Sequence, residues 1–194
     1  MSNAPDGPAG GAMWDVVSST VHWEGYSTVR VDTIRLPDGT TADREVVEHQ
    51  AAVAVVPLTA AGEVVLVRQY RHAFGTYLLE LPAGGVDPDD ADSRTAGERE
   101  LVEEIGRRPG RMLHLTTYKN SVGWCTETTD IWLATDLVDR APDPDWQPTG
   151  EEADMEVVVL GLDEAVAAVH DGTITDGKSI IGLLLTQAHL AAGD

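Results

Sequence analysis

What most constrains this chain is the order of its local signals. Strand-like segments follow one another up to residue 85, and only then does the first convincing helix, DSRTAGERELVEEIG at 92–106, begin. VVSSTVHWEGYSTVRVDTIRLPDG reads as two strands joined near Glu24-Gly25, with β-branched residues along it and a turn at Pro37-Asp38-Gly39-Thr40. REVVEHQAAVAVVPLT continues as another strand pair, and its second half is apolar enough to be buried on both faces. EVVLVRQYRHAF alternates as a strand, and LLELPAGG ends a short strand in glycines. After the helix come two more strands (RMLHLTTYKN and TTDIWLATDLV), the proline-bearing loop APDPDWQPTGEEAD and the strand MEVVVLGL. The helices DEAVAAVHDG and SIIGLLLTQAHLAA close the chain. Strands first and helices later predict an α/β chain with a mixed central sheet and flanking helices.

Composition narrows the function. Thirteen basic against 33 acidic residues leave a net charge of −20, which repels phosphate backbones and anionic lipid, so nucleic-acid and membrane surfaces are excluded as partners. A phosphate-bearing small molecule stays compatible only if a cation screens the protein's own field. The single cysteine, Cys125, excludes an intrachain disulfide and a cysteine-based zinc site. The six histidines form no i, i+4 pair, which argues against a histidine metal site. With no apolar run of transmembrane length and no signal layout at the start, a cytoplasmic protein is expected. Residues 1–12 are expected as a disordered leader, 13–48 as an N-terminal strand region and 49–194 as the main domain.

The helix at 92–106 carries the chemistry. Glu100, Glu103 and Glu104 fall in one sector of it, while Leu101, Val102 and Ile105 are expected to pack on the sheet. A lone acidic helix face is usually a solvated surface. Here Leu81-Pro82-Ala83-Gly84-Gly85 lies upstream, Gly106 offers a helix stop, and Arg99 can fork onto a carboxylate or hold the turn above it. A glycine-rich turn, a carboxylate-bearing helix and an arginine make a compact site for hard divalent cations and a pyrophosphate.

The run from Gly85 to Arg107 resembles the Nudix box, G-x5-E-x7-R-E-U-x-E-E-x-G-U. Arg99, Glu100, Leu101, Glu103, Glu104 and Gly106 match its second half. In the first half, Asp90 or Asp92 replaces the family's glutamate, with one extra residue before Arg99, and Arg107 stands at the final apolar position. YRHAFGTYLLELPAGG, SVGWCTETTDIWLATDL and EEADMEVVVLGLDEAV are similar to ADP-ribose pyrophosphatases of that family, and the resemblance spans roughly residues 45 to 190. Such members usually carry a proline in an S-P-G segment where this chain has Ser121-Val122-Gly123.

The resemblance implies an α+β Nudix-like sandwich and a hydrolase of a nucleoside diphosphate linked to another moiety. ADP-ribose split into AMP and ribose 5-phosphate comes first; other nucleotide sugars, dinucleotides and oxidised nucleoside triphosphates are the alternatives. Mg²⁺, or Mn²⁺, would be held by Glu100 and Glu104, with Glu103 in support and the Ala83 carbonyl adding a backbone oxygen. Arg71, Glu80, Gly84 and Gly85 would border the substrate, Arg71 pairing with the pyrophosphate or with Glu80. The general base would be Glu151 or Glu152 in the loop after the box, Glu103 being the fallback. The N-terminal strands would make a homodimer. A sensor that binds a nucleotide without cleaving it is the rival class, opposed by the intact R-E-x2-E-E. An acidic calcium-binding protein lacks its D-x-D-x-D-G loop. Trp23, Trp124 and Trp132 are candidates for stacking a base, though strand tryptophans are more often core or interface.

Overall fold

In a computed structural model of the chain, residues 14–142, 144, 147 and 153–193 are described. They divide into two units: the residues up to His49 together with Ser121–Thr126, and residues 50–120 with those from Glu127 onward.

The first unit is a three-stranded antiparallel sheet in the order β1-β2-β3, made of Val16–Glu24, Thr28–Arg35 and Thr41–Glu48. Ser121–Thr126 joins it by hydrogen bonds on either side of Val47: the Val47 N–H donates to the Trp124 carbonyl at 2.7 Å, and the Thr126 N–H to the Val47 carbonyl at 2.9 Å. Every residue of β1 is exposed, including Val16, Val17, Val21 and Trp23.

The second unit is built around β4 (Ala52–Pro57), whose residues alternate between two dry faces as its continuous apolar run demands. It lies in a four-stranded sheet of order β7-β4-β10-β9, parallel to β10 (Thr128–Thr135) and antiparallel to β7 (Ala83–Gly85). β9 (Arg111–Lys119) pairs antiparallel with β10. On one face, Val53 and Val55 pack with Ala96 and Leu101 of α1 (Ser93–Ile105). On the other, Ala54 and Val56 join Leu81, Ile131 and Leu183 of α3 (Gly177–Ala192). That second core also takes in Leu66 from β5 (Glu63–Arg71) and Ala165 from α2 (Leu162–His170). β5 is the centre of a second sheet, between β6 (Thr76–Glu80) and β12 (Glu156–Gly161). The result is the expected α+β sandwich, with helices on both faces of a mixed sheet.

Two local expectations need correction, and one small element went unsignalled. β5 ends at Arg71, because His72–Gly75 form the turn into β6, closed by the Gly75 N–H on the Arg71 carbonyl. Two pairs of residues, Arg107–Arg108 (β8) and Val138–Asp139 (β11), form a small ribbon that the sequence did not signal. Val102 is half-buried and absent from the core cluster that takes in Leu101 and Ile105; it lines a groove of about 610 Å³ with Thr95, Glu98, Arg99, Glu103 and Arg140.

Candidate active site

Helix α1 is fixed at both ends, and this sets where its carboxylates lie. Asp92 is its N-cap and accepts the Thr95 N–H at 2.8 Å, while Gly106 ends it in the left-handed conformation at φ 64°, which costs a glycine little. Capping duty therefore falls to Asp92, and Asp90 is the aspartate that turns to Arg99, its Oδ2 accepting from Nη2 at 3.2 Å.

The glycine turn closes directly over the helix. Glu100 is only 7% exposed, and a Cβ on Gly84 would overlap its carboxylate, so this turn can approach the helix only as glycine. The Ala83 N–H donates to Glu104 Oε2 at 3.1 Å. Arg99 binds the assembly from the side: Nη1 donates to Glu100 Oε1 at 2.7 Å and to Glu103 Oε2 at 3.0 Å, and Nη2 to the Gly85 carbonyl at 3.0 Å. Arg99 thus does both things expected of it, holding two carboxylates and the turn. Burial works against its charge, but the Asp90 hydrogen bond and the charges of Glu100, Asp90 and Glu103 outweigh that and keep the guanidinium protonated.

Electrostatically the site is short of positive charge. Burial, and then the charge of Glu100, push the Glu104 carboxyl well above the usual carboxylate range; the Ala83 N–H, Arg71 and Lys178 only partly oppose this. Among the described residues no three Asp, Glu, His or Cys side chains stand ready in coordinating geometry, since Glu100 and Glu103 are turned to Arg99 and Glu104 to the Ala83 amide. The all-oxygen donor set and the unrelieved repulsion of Glu104 by Glu100 nonetheless fit a hard divalent cation of the Mg²⁺ or Mn²⁺ type.

Next to these carboxylates is a second charged cluster. Glu80, at the end of β6, is 1% exposed and receives Arg71 in a two-pronged pair, Nε on Oε1 and Nη2 on Oε2, both at 2.8 Å. Of the two partners expected for Arg71, the structure shows Glu80. Lys178 also donates to Glu80 Oε2, and to Asp176 Oδ1 at 2.9 Å. Burial pushes the Glu80 carboxyl up, but the hydrogen bonds of Arg71 and the charge of Lys178 hold it below the usual range.

Lys178 and Asp176 were missed from sequence. The Asp-Gly-Lys-Ser run signals a helix start, and Asp176 does cap α3, accepting the Ser179 N–H at 3.0 Å. Nothing local points Lys178 to a glutamate 98 residues away. Of the tryptophans, Trp132 is half-buried and donates to Ser93 Oγ at 3.3 Å, whereas Trp23 and Trp124 are exposed. Glu151 and Glu152 lie outside the described residues.

Comparison with known proteins bears directly on this arrangement. The NUDIX domain model matches residues 48–180, which contain α1, the glycine turn and both charged clusters. The chain belongs to the Nudix family. The chain is a Nudix hydrolase that cleaves the pyrophosphate linkage of nucleoside diphosphate derivatives. Residues 14–47 match the nucleoside diphosphate sugar hydrolase N-terminal domain. The chain is 34% identical to an ADP-ribose pyrophosphatase of Mycobacterium tuberculosis, over 89% of this chain and 82% of that protein. It is 32% identical to a GDP-mannose pyrophosphatase of Klebsiella pneumoniae, over 89% and 90% of the two. A solved structure, the crystal structure of an ADP compounds hydrolase, superposes with a TM-score of 0.81 over 93% of this chain and 95% of that one, at 20% identity. No helix among the described residues is long and apolar enough to cross a membrane.

Proposed function

We propose that this Nudix hydrolase acts on ADP-ribose, using Mg²⁺ or in its place Mn²⁺, and releases AMP and ribose 5-phosphate. The observation that carries this is the seating of Glu100, Glu103 and Glu104 around the Gly84 turn, with Arg99 bound to both sides. The ADP-ribose pyrophosphatase relative supports the choice of substrate.

In this account Glu100 and Glu104 hold the cation, with Glu103 in support and the Ala83 carbonyl as a backbone donor. When bound, the cation neutralises the pyrophosphate against the carboxylates and acidifies a water. Arg99 keeps Glu100 and Glu103 in place against the turn. Gly84 and Gly85 present bare backbone to the phosphates, and Arg71, backed by Glu80, supplies a fixed positive charge at the substrate's side. The attacking water gives up its proton to Glu151 or Glu152 as its oxygen bonds to phosphorus, and the bond from that phosphorus to the bridging oxygen breaks. The base has to come from outside the box, because carboxylates engaged with cations are poor proton acceptors.

The exposed apolar β1 supports a homodimer formed through residues 13–48. A cytoplasmic location accords with the nucleotide substrate and the single cysteine. A second reading, a GDP-mannose type of substrate, is favoured by the Klebsiella relative and by the N-terminal sugar hydrolase match. The test is a comparison of kcat/KM for ADP-ribose, GDP-mannose, dinucleotides and nucleoside triphosphates in Mg²⁺, with products identified. ADP-ribose should lead. Preference for GDP-mannose would transfer the assignment, and binding without turnover of any would favour a nucleotide sensor.

A further inference from the structure

We infer that Lys178, at the start of α3, is a positioning residue for the reaction, offsetting buried Glu80 so that Arg71 meets the anionic substrate from a cluster with no net negative charge. This rests on the reading of Arg71 as a substrate-side charge.

Arg71 spends two of its nitrogens on Glu80, and Nη1 has no hydrogen-bond partner among the described residues. Its side chain is one-third exposed, whereas Glu80 is sealed at 1% and Lys178 stands at 15%. An arginine paired one-to-one with a buried carboxylate presents no net charge to a distant phosphate. Here a second cation shares that carboxylate from the inner side. The cluster Glu80, Asp176, Arg71 and Lys178 sums to zero, with its cationic, exposed member outward. Without Lys178 the same cluster would carry a net charge of −1, in a chain already at −20, beside the place where a pyrophosphate must sit.

Lys178 is held for this duty. Asp176 grips its ammonium and caps α3, and the Ser179 hydroxyl donates to Asp176 at 2.6 Å while accepting the Leu81 N–H at 2.8 Å. Leu81 follows Glu80 directly, so the helix start and the carboxylate are tied to one frame. Lysine here is thus more than a helix-end ornament: its charge, not its bulk, is what the cluster requires.

The full-length protein is assayed with ADP-ribose and Mg²⁺ as wild type, Lys178→Met, Lys178→Gln and Lys178→Arg, each with its thermal midpoint. Lys178→Met and Lys178→Gln should raise KM at least about tenfold with kcat within about threefold, and Lys178→Arg should return KM to within about threefold of wild type. A purely structural lysine would lower the midpoint and leave KM unchanged, which overturns the inference. So does a KM that rises equally in Lys178→Arg. Should Lys178→Met not fold, Lys178→Gln, which keeps hydrogen-bonding capacity, gives the same split. A wild type inert toward ADP-ribose refutes the substrate assignment; an active wild type with an unmoved KM in the neutral variants refutes the role of Lys178.

Discussion

Replacing Glu104 by Gln should stabilise the metal-free protein and destabilise it relative to wild type once Mg²⁺ is added. The amide oxygen of glutamine can still accept the Ala83 N–H now given to Glu104 Oε2 at 3.1 Å, so the change removes charge and keeps shape. Glu100 and Glu104 are an i, i+4 like-charge pair, worth up to about 0.5 kcal/mol of destabilisation on an exposed helix. With Glu100 only 7% exposed, that figure is a floor. For a chain of this size it corresponds to a rise of about 1–2 °C in the midpoint.

The pH dependence follows the same sign. Burial and Glu100 hold the Glu104 carboxyl above its unfolded value, so the folded chain binds the extra proton. Its stabilising contribution is complete below the ordinary carboxylate range and is lost as pH rises through the raised value. The gap between Glu104→Gln and wild type in EDTA should therefore widen from about pH 5 upward. Mg²⁺ at about a hundred times its Kd should stabilise wild type by about 2.7 kcal/mol. That is about 5–10 °C for a chain of this length, and Glu104→Gln should lose most of it. Scanning fluorimetry of both proteins in EDTA and in Mg²⁺ reads all of this. A variant less stable than wild type in EDTA, or one that gains as much from Mg²⁺, refutes the reasoning.

Three further outcomes are expected. Gly182→Ala would put a Cβ 2.6 Å from Leu81 Cδ1 and 2.9 Å from Val56 Cγ2; urea titration should show a loss of about 1–3 kcal/mol despite alanine's better helix propensity, and unchanged stability would refute the tight packing of α3 on β4. Glu151→Gln or Glu152→Gln should cut kcat by about a hundredfold or more with KM nearly unchanged, the larger effect naming the base; wild-type rates in both and in the double variant would move the search to Glu103. Light scattering should give a dimer, and deletion of residues 13–48 should remove both dimerisation and activity, an outcome contradicted by a fully active monomer.

How much of this was legible beforehand depended on whether the signal was local. α1 announced itself, because its glycine stop, Gly106, and its carboxylates lie within one short run, whereas the capping duty of Asp92 came only with the structure. β4 was equally plain, since a short, valine-rich run such as AVAVVP that ends in proline suits a strand covered on both sides. The ribbon of β8 and β11 was hidden because two residues are too few to show a period. A sector argument cannot tell which flank of a helix meets the sheet, so Val102 was grouped with Leu101 and Ile105; Gly97, where an added Cβ would come within 2.9 Å of Val55 Cγ2, marks the flank that does. Within the site, Arg99 could be assigned from its neighbours and its two duties were found together. The pairing of Arg71 with Glu80 was one of two open choices, and the part of Lys178 was invisible, because it arises from a contact between the ends of β6 and α3 that only folding creates.

This acidic site should cleave a pyrophosphate only when a divalent cation is supplied. Phosphorus-31 NMR of ADP-ribose incubated with the protein tests it most directly, in Mg²⁺ and again in excess EDTA. In Mg²⁺ the two pyrophosphate resonances should give way to two phosphomonoester resonances, those of AMP and ribose 5-phosphate, while the EDTA sample stays unchanged. Persistence of the pyrophosphate signals in Mg²⁺, or equal cleavage in EDTA, would contradict this.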